Sequence, residues 1–177
     1  MKTTEPTLSR APGSMSEEDF VESFGGIYEH SPWIASETWR SGLDGRHQTA
    51  AGLGAVMREV VEQASAEDKL SLIRAHPDLA GRAAVQGELT PESTSEQASA
   101  GIDRCSPEEF ERFQRFNRRY KEKFGFPFVM AVKGSNRHKI LEAFEERVGH
   151  DVDTEVRRAL DEIHKIARLR LNELAGR

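Results

Sequence analysis

Helix-start signals recur along this chain and constrain its fold more than any other feature. A capping serine or threonine directly precedes a proline at Ser31-Pro32, Thr90-Pro91 and Ser106-Pro107, and Glu109 completes a capping box in the third signal. The hydroxyl of such a cap satisfies free backbone N–H groups of a helix, and proline fits the first helical turn. Each signal therefore predicts the first turn of an α-helix.

Apolar residues between these signals repeat with the period of a helix. Over residues 53–61, and again over residues 156–174, they recur every three or four positions, as on one helix face. No stretch alternates convincingly between apolar and polar residues as a half-buried strand does. The 177 residues suit one compact core. The sequence predicts an all-α, single-domain bundle of about six to eight helices over residues 16–177, with a disordered or loosely ordered tail over residues 1–15.

Composition excludes several classes of protein. The 25 Lys and Arg residues and 30 Asp and Glu residues give a net charge of −5, which argues against general nucleic-acid binding. No apolar stretch approaches the roughly 20 residues that span a bilayer, so we expect no membrane insertion. The single cysteine, Cys105, can form no intramolecular disulfide. The first residues lack the apolar segment of a secretory signal, and we expect a cytoplasmic protein.

One charged residue lies on the apolar stripe of the last predicted helix. At roughly 100° per residue, Arg170 falls about 40° from the centre of the stripe, whereas Arg168 points away from it. A guanidinium that faces a core requires an anion. Two interpretations stay open: Arg170 pairs with a structural carboxylate or reaches out to solvent, or it binds a planar polar ligand through two parallel hydrogen bonds.

His76 is a second candidate for a functional residue, after Arg170. It precedes Pro77 and therefore marks a helix end. The carbonyl-rich end of the helix, together with Asp78, favours the protonated imidazole, which could donate a proton near neutral pH. A polar cap is the alternative role. The histidines show no metal-ligand spacing, and no glycine-rich phosphate loop follows a strand. We predict neither a metal nor a nucleotide cofactor.

Two further segments are unusual in composition. Residues 93–97 place five polar side chains near a helix start, either as a solvated first turn or as a ligand-binding surface. Residues 125–132 break the helical rhythm, because Gly125 ends one helix and Pro127 prevents its continuation. This second segment is predicted to be an extended, buried connector.

Four spaced motifs give the chain a specific resemblance. Phe24-Gly-Gly-Ile-Tyr-Glu-His-Ser-Pro-Trp33 is followed by His76-Pro-Asp-Leu-Ala-Gly81, and then by Ser93-x-x-Glu-Gln-x-x-Ala-Gly101. The fourth motif is Asn117-x-x-Tyr-x-x-Lys-Phe-Gly-Phe-Pro-Phe128. In this order they resemble the 2-oxo-4-hydroxy-4-carboxy-5-ureidoimidazoline (OHCU) decarboxylases of purine breakdown. The resemblance extends from about Ser16 to Leu174.

This resemblance implies a fold, an activity and a site. It implies an all-helical, cofactor-free homodimer that converts OHCU, its small-molecule substrate, to (S)-allantoin and carbon dioxide in urate catabolism. The catalytic residues of the family fall on His76, Glu96 and Arg170, with Arg168 as the competing alignment for the arginine. The substrate-binding positions fall on Pro77, on Ser93, Thr94, Ser95, Glu96 and Gln97, and on Phe128, Val129, Met130, Ala131 and Val132.

Two other functions are compatible with the same residues. A hydrolase or isomerase of a related ureide could use His76 and Glu96, and its products would include ammonia or a ring-opened compound without carbon dioxide. A non-catalytic helical binding module would instead use the polar residues for stability alone. Substitution of His76, Glu96 and Arg170 would then mainly lower the melting temperature.

Overall fold

The computed structural model describes residues 4–81 and 88–176. Within these ranges the chain forms eight α-helices and three short 3₁₀ turns, and its only β-type pairing is an isolated bridge between Thr7 and Thr49. The predicted all-α fold and helix number are confirmed. None of the described helices is both long and apolar enough to cross a membrane. The helices are α1 Glu17–Phe24, α2 Pro32–Arg40, α3 Ala50–Glu62, α4 Ala66–Arg74, α5 Pro91–Ser99, α6 Pro107–Phe124, α7 Arg137–Arg147 and α8 Val152–Ala175.

Most helix starts follow the predicted capping chemistry. Thr90 accepts a hydrogen bond from the Ser93 backbone, and Ser106 and Glu109 form the complete capping box. Ser31 precedes α2 as predicted, but its side chain makes no cap hydrogen bond and instead donates to the Glu29 carbonyl oxygen at 2.9 Å. The Ser31 backbone, with φ −131° and ψ 61°, lies outside the extended conformation of a typical N-cap, whereas the capping residue Ser106 has a ψ of 161°.

The described part of the segment before α1 makes defined contacts with later residues of the chain. The Leu8 N–H donates to the Gln48 carbonyl oxygen at 2.8 Å, and the Leu8 side chain is buried. Further along, the Trp39 Nε1–H donates to the Met15 carbonyl oxygen at 2.9 Å. Residues 4–15 are thus held by backbone pairing and by three buried apolar side chains, Leu8, Pro12 and Met15.

The helices form two compact units. The first comprises Met1–Ala75 and His164–Arg177, and it therefore contains α1 to α4 and the last part of α8. Its core is aliphatic and aromatic, with side chains that are almost completely buried. They are Phe20, Ile34, Leu53, Met57, Val61, Ile73 and Leu171. Each of these contributes about 1.5–3 kcal/mol relative to an exposed position.

The second unit, His76–Ile163, has an aromatic core. Tyr120 and Phe113 of α6 are fully buried, and so is Phe144 of α7. The Phe128 and Phe144 rings stack with centroids 3.7 Å apart. Phe128 belongs to the segment between α6 and α7, so this stacking anchors the connector to the core. The connector predicted over residues 125–132 forms neither helix nor strand, and five of its eight residues are buried. Its extended conformation stays a prediction.

Candidate active site

His76 begins a rigid loop in the second unit. Helix α4 ends at Arg74, with Ala75 as its C-cap, so His76 follows the helix end as the proline at position 77 predicted. The imidazole is largely buried, with 8% of the residue exposed. A histidine in such a place is shielded from bulk water while its backbone is fixed by the helix end.

Side chains of two helices hold residues 77–81, the loop that follows His76 and that we call the histidine loop. The Gln97 Oε1 of α5 accepts from the Ala80 N–H at 3.1 Å, and the Gln114 Nε2 of α6 donates to the Ala80 carbonyl oxygen at 2.6 Å. The Asn117 Nδ2 donates to the Leu79 carbonyl oxygen at 2.9 Å, and the Lys121 Nζ lies 2.6 Å from Asp78 Oδ2.

These bonds offset a strained backbone. Ala80 has a φ of +51°, a left-handed conformation that costs a residue with a Cβ atom about 1–2 kcal/mol. Both backbone polar groups of Ala80 are paired with side chains. The loop therefore has one defined shape, and that shape fixes where His76 and Pro77 lie.

Helix α5 presents only one face of the predicted 93–97 segment to the interior. Ser93 and Gln97 are buried and Glu96 is half-buried, as expected for positions three and four residues apart. The Thr94 and Ser95 side chains are exposed, and the Thr94 hydroxyl donates to the Thr90 carbonyl oxygen at 3.0 Å. The structure thus joins Gln97 to the histidine loop and places Ser93 and Glu96 on the adjoining face.

Within the connector, residues 128–132 form neither helix nor strand and are mostly buried. Phe128, Val129 and Val132 are buried, whereas Met130 and Ala131 are half-exposed. The Val129 carbonyl oxygen accepts a hydrogen bond from Arg147 Nη1 at 2.7 Å. Backbone without a helix or sheet partner can offer its remaining N–H and C=O groups to a ligand.

Arg170 lies in the first unit and is buried, as its place on the apolar stripe predicted. Its Nη2 donates to Glu29 Oε2 at 2.7 Å, and its Nη1 donates to the Gly26 carbonyl oxygen at 3.0 Å. Arg170 is 4% exposed, whereas the Arg168 side chain is 40% exposed and pairs with Glu5 at 3.2 Å. The anion that the buried guanidinium requires is therefore Glu29, and the ion pair fixes the orientation of Arg170.

Some of the predicted ligand-binding residues also border a cavity within the second unit. Thr94 and Gln97, together with Ala80 of the loop after His76, line a space of about 490 Å³ with mainly apolar neighbours, including Ile102 and Phe110. His76 and Glu96 do not line this cavity. In the ranges 4–81 and 88–176, no group of three or more His, Cys, Asp or Glu residues is arranged to hold a metal ion.

Comparison with known proteins places the chain in a family. A sequence model of the OHCU decarboxylase family matches residues 13–172. The chain belongs to the OHCU decarboxylase family. A relative from Haloferax volcanii, named 2-oxo-4-hydroxy-4-carboxy-5-ureidoimidazoline decarboxylase, is 48% identical over 159 residues, which are 90% of either chain. The resemblance seen in the four motifs is confirmed, and all four lie inside the matched range.

Two solved structures of similar fold agree with this family. The crystal structure of an (S)-allantoin synthase superposes with a TM-score of 0.71 at 30% identity, covering 92% of this chain and 52% of the other. A crystal structure of OHCU decarboxylase in the presence of (S)-allantoin superposes with a TM-score of 0.69 at 25% identity, covering 92% of this chain and all of the other. These matches concern the whole fold, and the roles of single residues stay predictions.

Sequence reasoning missed several residues that shape the site. Gln114 and Lys121 of α6, which hold the histidine loop, and Glu29, which holds Arg170, received no role from the sequence. Asn117 carried a usable signal, because it is a polar residue within the apolar spacing of α6. Such a residue needs a buried hydrogen-bond partner, and the structure supplies the Leu79 carbonyl oxygen.

Proposed function

We propose that this chain removes carbon dioxide from OHCU and releases (S)-allantoin, as a step of urate degradation. The match to the OHCU decarboxylase family over residues 13–172 carries the proposal. The chain is on that basis a decarboxylase, a carboxy-lyase. The 48% identity to the Haloferax volcanii enzyme supports the same substrate.

The substrate itself can accept the electron pair that decarboxylation releases. Its carboxylate is attached to a ring carbon next to the ring C=N bond, so OHCU is a β-imino acid. When the carbon–carbon bond breaks, the electron pair moves into the ring and the ring nitrogen takes a proton. An enol remains, which becomes allantoin when a proton adds to the ring carbon that carries the ureido group and the hydroxyl proton leaves. The proposal therefore calls for no cofactor.

The protein then has three tasks: to orient the carboxylate, to exclude water and to deliver the proton to one face of the ring. We assign the acid/base role at the ring hydroxyl or the new C–H bond to His76, whose burial and rigid loop support it. Glu96 accepts hydrogen bonds from the ureido and ring N–H groups. Arg170 binds carbonyl or carboxylate oxygens, a role suited to a guanidinium that Glu29 has already oriented.

Binding of the ring is assigned to backbone and small polar groups. Pro77 and the inward face of α5, with Ser93 and Gln97, belong to the same rigid arrangement as the histidine loop. The main chain of Phe128–Val132 fixes the ring through groups that no helix uses. The resemblance further supports a homodimer, and we propose that the protein acts in the cytoplasm.

Substitution of the proposed acid/base residue tests the function. OHCU is generated in place with urate oxidase and hydroxyisourate hydrolase, and carbon dioxide and the circular dichroism of allantoin are followed. We expect His76→Asn and Glu96→Gln to slow the reaction by about 100-fold or more while the fold survives. His138→Asn is the matched control, because the His138 side chain is 72% exposed on α7. Wild-type turnover by His76→Asn would contradict the assignment, and ammonia without carbon dioxide would indicate a hydrolase.

A further inference from the structure

A buried charged cluster in the second unit contacts the connector but takes no part in the proposed chemistry. Arg147 of α7 is 1% exposed and Glu155 of α8 is fully buried. Arg147 Nε donates to Glu155 Oε1 at 2.8 Å, and the Tyr120 hydroxyl donates to the same oxygen at 2.5 Å. His150 Nδ1 lies 3.0 Å from the other carboxylate oxygen. Both oxygens of Glu155 are therefore engaged, and the guanidinium is held in one orientation.

Arg147 in turn holds two neighbouring parts of the connector. Its Nη1 donates to the Val129 carbonyl oxygen at 2.7 Å. Its guanidinium carbon lies 4.2 Å from the centroid of the Phe128 ring, within the range of a cation–π contact. One side chain thus fixes the main chain at Val129 and the side chain at Phe128, next to the half-exposed Met130 and Ala131.

This arrangement stabilises the core of the unit less efficiently than apolar side chains would. Burial of an ion pair costs several kcal/mol per ion before the attraction is counted, and apolar replacements are often as stable. The Arg147 Nη2 is buried without a hydrogen-bond partner among the described residues, which adds to that cost. Stability alone does not account for such a residue, whereas precise placement of a main-chain segment does.

We propose that Arg147 is a positioning residue for the decarboxylation, and that Glu155 and Tyr120 keep it in place. By fixing Phe128 and Val129, the cluster determines where the connector meets the substrate ring and hence which face of the ring receives the proton. This inference rests on the proposed function, because it assumes that the connector binds the ring. Arg147 itself touches no substrate.

Two substitutions and one matched control test the inference. Arg147→Lys keeps the charge, but an ammonium lacks the planar fork that bonds Val129 and Glu155 together. Tyr120→Phe removes one hydrogen bond to Glu155 and leaves the ring in place, so it serves if Arg147→Lys fails to fold. Arg137→Lys is the matched control, because Arg137 lies on α7 as Arg147 does. Arg137 Nε donates to Glu109 at 2.8 Å, the distance of the Arg147–Glu155 bond, but Arg137 does not bond the connector.

Three quantities are measured on each variant: hydrogen exchange of the amides of residues 128–132, kcat and KM for OHCU, and the enantiomeric excess of allantoin after correction for spontaneous decay. For Arg147→Lys we expect faster exchange in this segment, kcat lower by about 10-fold to 100-fold with KM changed less than about threefold, and a smaller excess of (S)-allantoin. Tyr120→Phe should shift the same three quantities in the same direction by less. Arg137→Lys should match the wild type.

The outcomes separate this inference from the proposed function. Exchange like that of the wild type in folded Arg147→Lys overturns the inference, and so does faster exchange with unchanged kcat and enantiomeric excess. A wild-type protein that leaves the decay of OHCU unaccelerated overturns the proposed function instead. In that case the exchange data and a titration with (S)-allantoin still decide whether the cluster controls binding at the connector.

Discussion

The buried ion pair between Glu29 and Arg170 gives the sharpest test of how the first unit orients Arg170, to which we assign substrate binding. Both side chains are almost fully buried, 1% and 4% exposed, and their atoms lie 2.7 Å apart. Glu29→Ala removes the carboxylate that pairs with the buried guanidinium, while the hydrogen bond to the neutral Gly26 carbonyl oxygen remains. Loss of one partner of a buried pair costs about 3–5 kcal/mol, so we expect a fall of that size in the free energy of unfolding.

Unfolding in urea is monitored by circular dichroism, and a double-mutant cycle isolates the energy of the ion pair. Arg170→Met combined with Glu29→Ala removes both charges, and its cost should be smaller than the sum of the single changes by up to about 3 kcal/mol. Asp161→Ala is the control on α8, because its pair with Arg157 is exposed and is worth at most about 1 kcal/mol.

Glu29→Gln should have a milder effect that separates orientation from stability. It keeps an oxygen acceptor for Arg170 but loses the charge, which costs about 1–2 kcal/mol. Because Arg170 is then less firmly oriented, decarboxylation should slow even where the variant is fully folded. If Glu29→Ala lowers the free energy of unfolding no more than Asp161→Ala does, the buried pair does not have the energetic role described here.

Three further predictions concern other parts of the chain. Both tyrosines of the sequence, Tyr28 and Tyr120, are buried, and desolvation raises the pKa of each well above the usual 10. Above pH 10 the unfolded chain releases these protons and the folded chain keeps them, so the free energy of unfolding should fall by about 1.4 kcal/mol per pH unit for each tyrosine; phenolate absorbance should rise only with unfolding. Asn117→Leu, which frees the Leu79 carbonyl, should cost about 1–3 kcal/mol in urea unfolding and lower kcat by loosening the histidine loop. Ser106→Ala should cost about 1 kcal/mol by the same measurement, because it removes a cap of α6.

Local features of this fold could be predicted from the sequence because local chemistry decides them. The capping box at Ser106 starts α6 where predicted, and the apolar spacing of α8 separates buried Arg170 from half-exposed Arg168. Ser31 shows the limit, since its position at a helix start is correct but its hydroxyl bonds elsewhere. The last helix begins at Val152, four residues before the apolar repeat that starts at Val156, and Asp151 accepts from the Thr154 N–H at 2.8 Å in its first turn.

Partners distant in the sequence could not be predicted in this way. Glu29 is 141 residues from Arg170, and nothing local indicates which carboxylate will meet the guanidinium. Such pairing depends on how whole helices pack, which no single spacing determines. Arg147 did carry a signal that went unused, because it follows Phe144 by three residues and Ile140 by seven on the apolar face of α7.

A stereospecific decarboxylation by this chain is tested most directly with the wild-type protein. OHCU is formed in place from urate with the two preceding enzymes, and circular dichroism and trapped carbon dioxide are recorded together. Spontaneous decay yields racemic allantoin. If the protein is a stereospecific decarboxylase, we therefore expect a rapid rise of the (S)-allantoin signal with matching release of carbon dioxide. A trace identical to that of the protein-free control would contradict it.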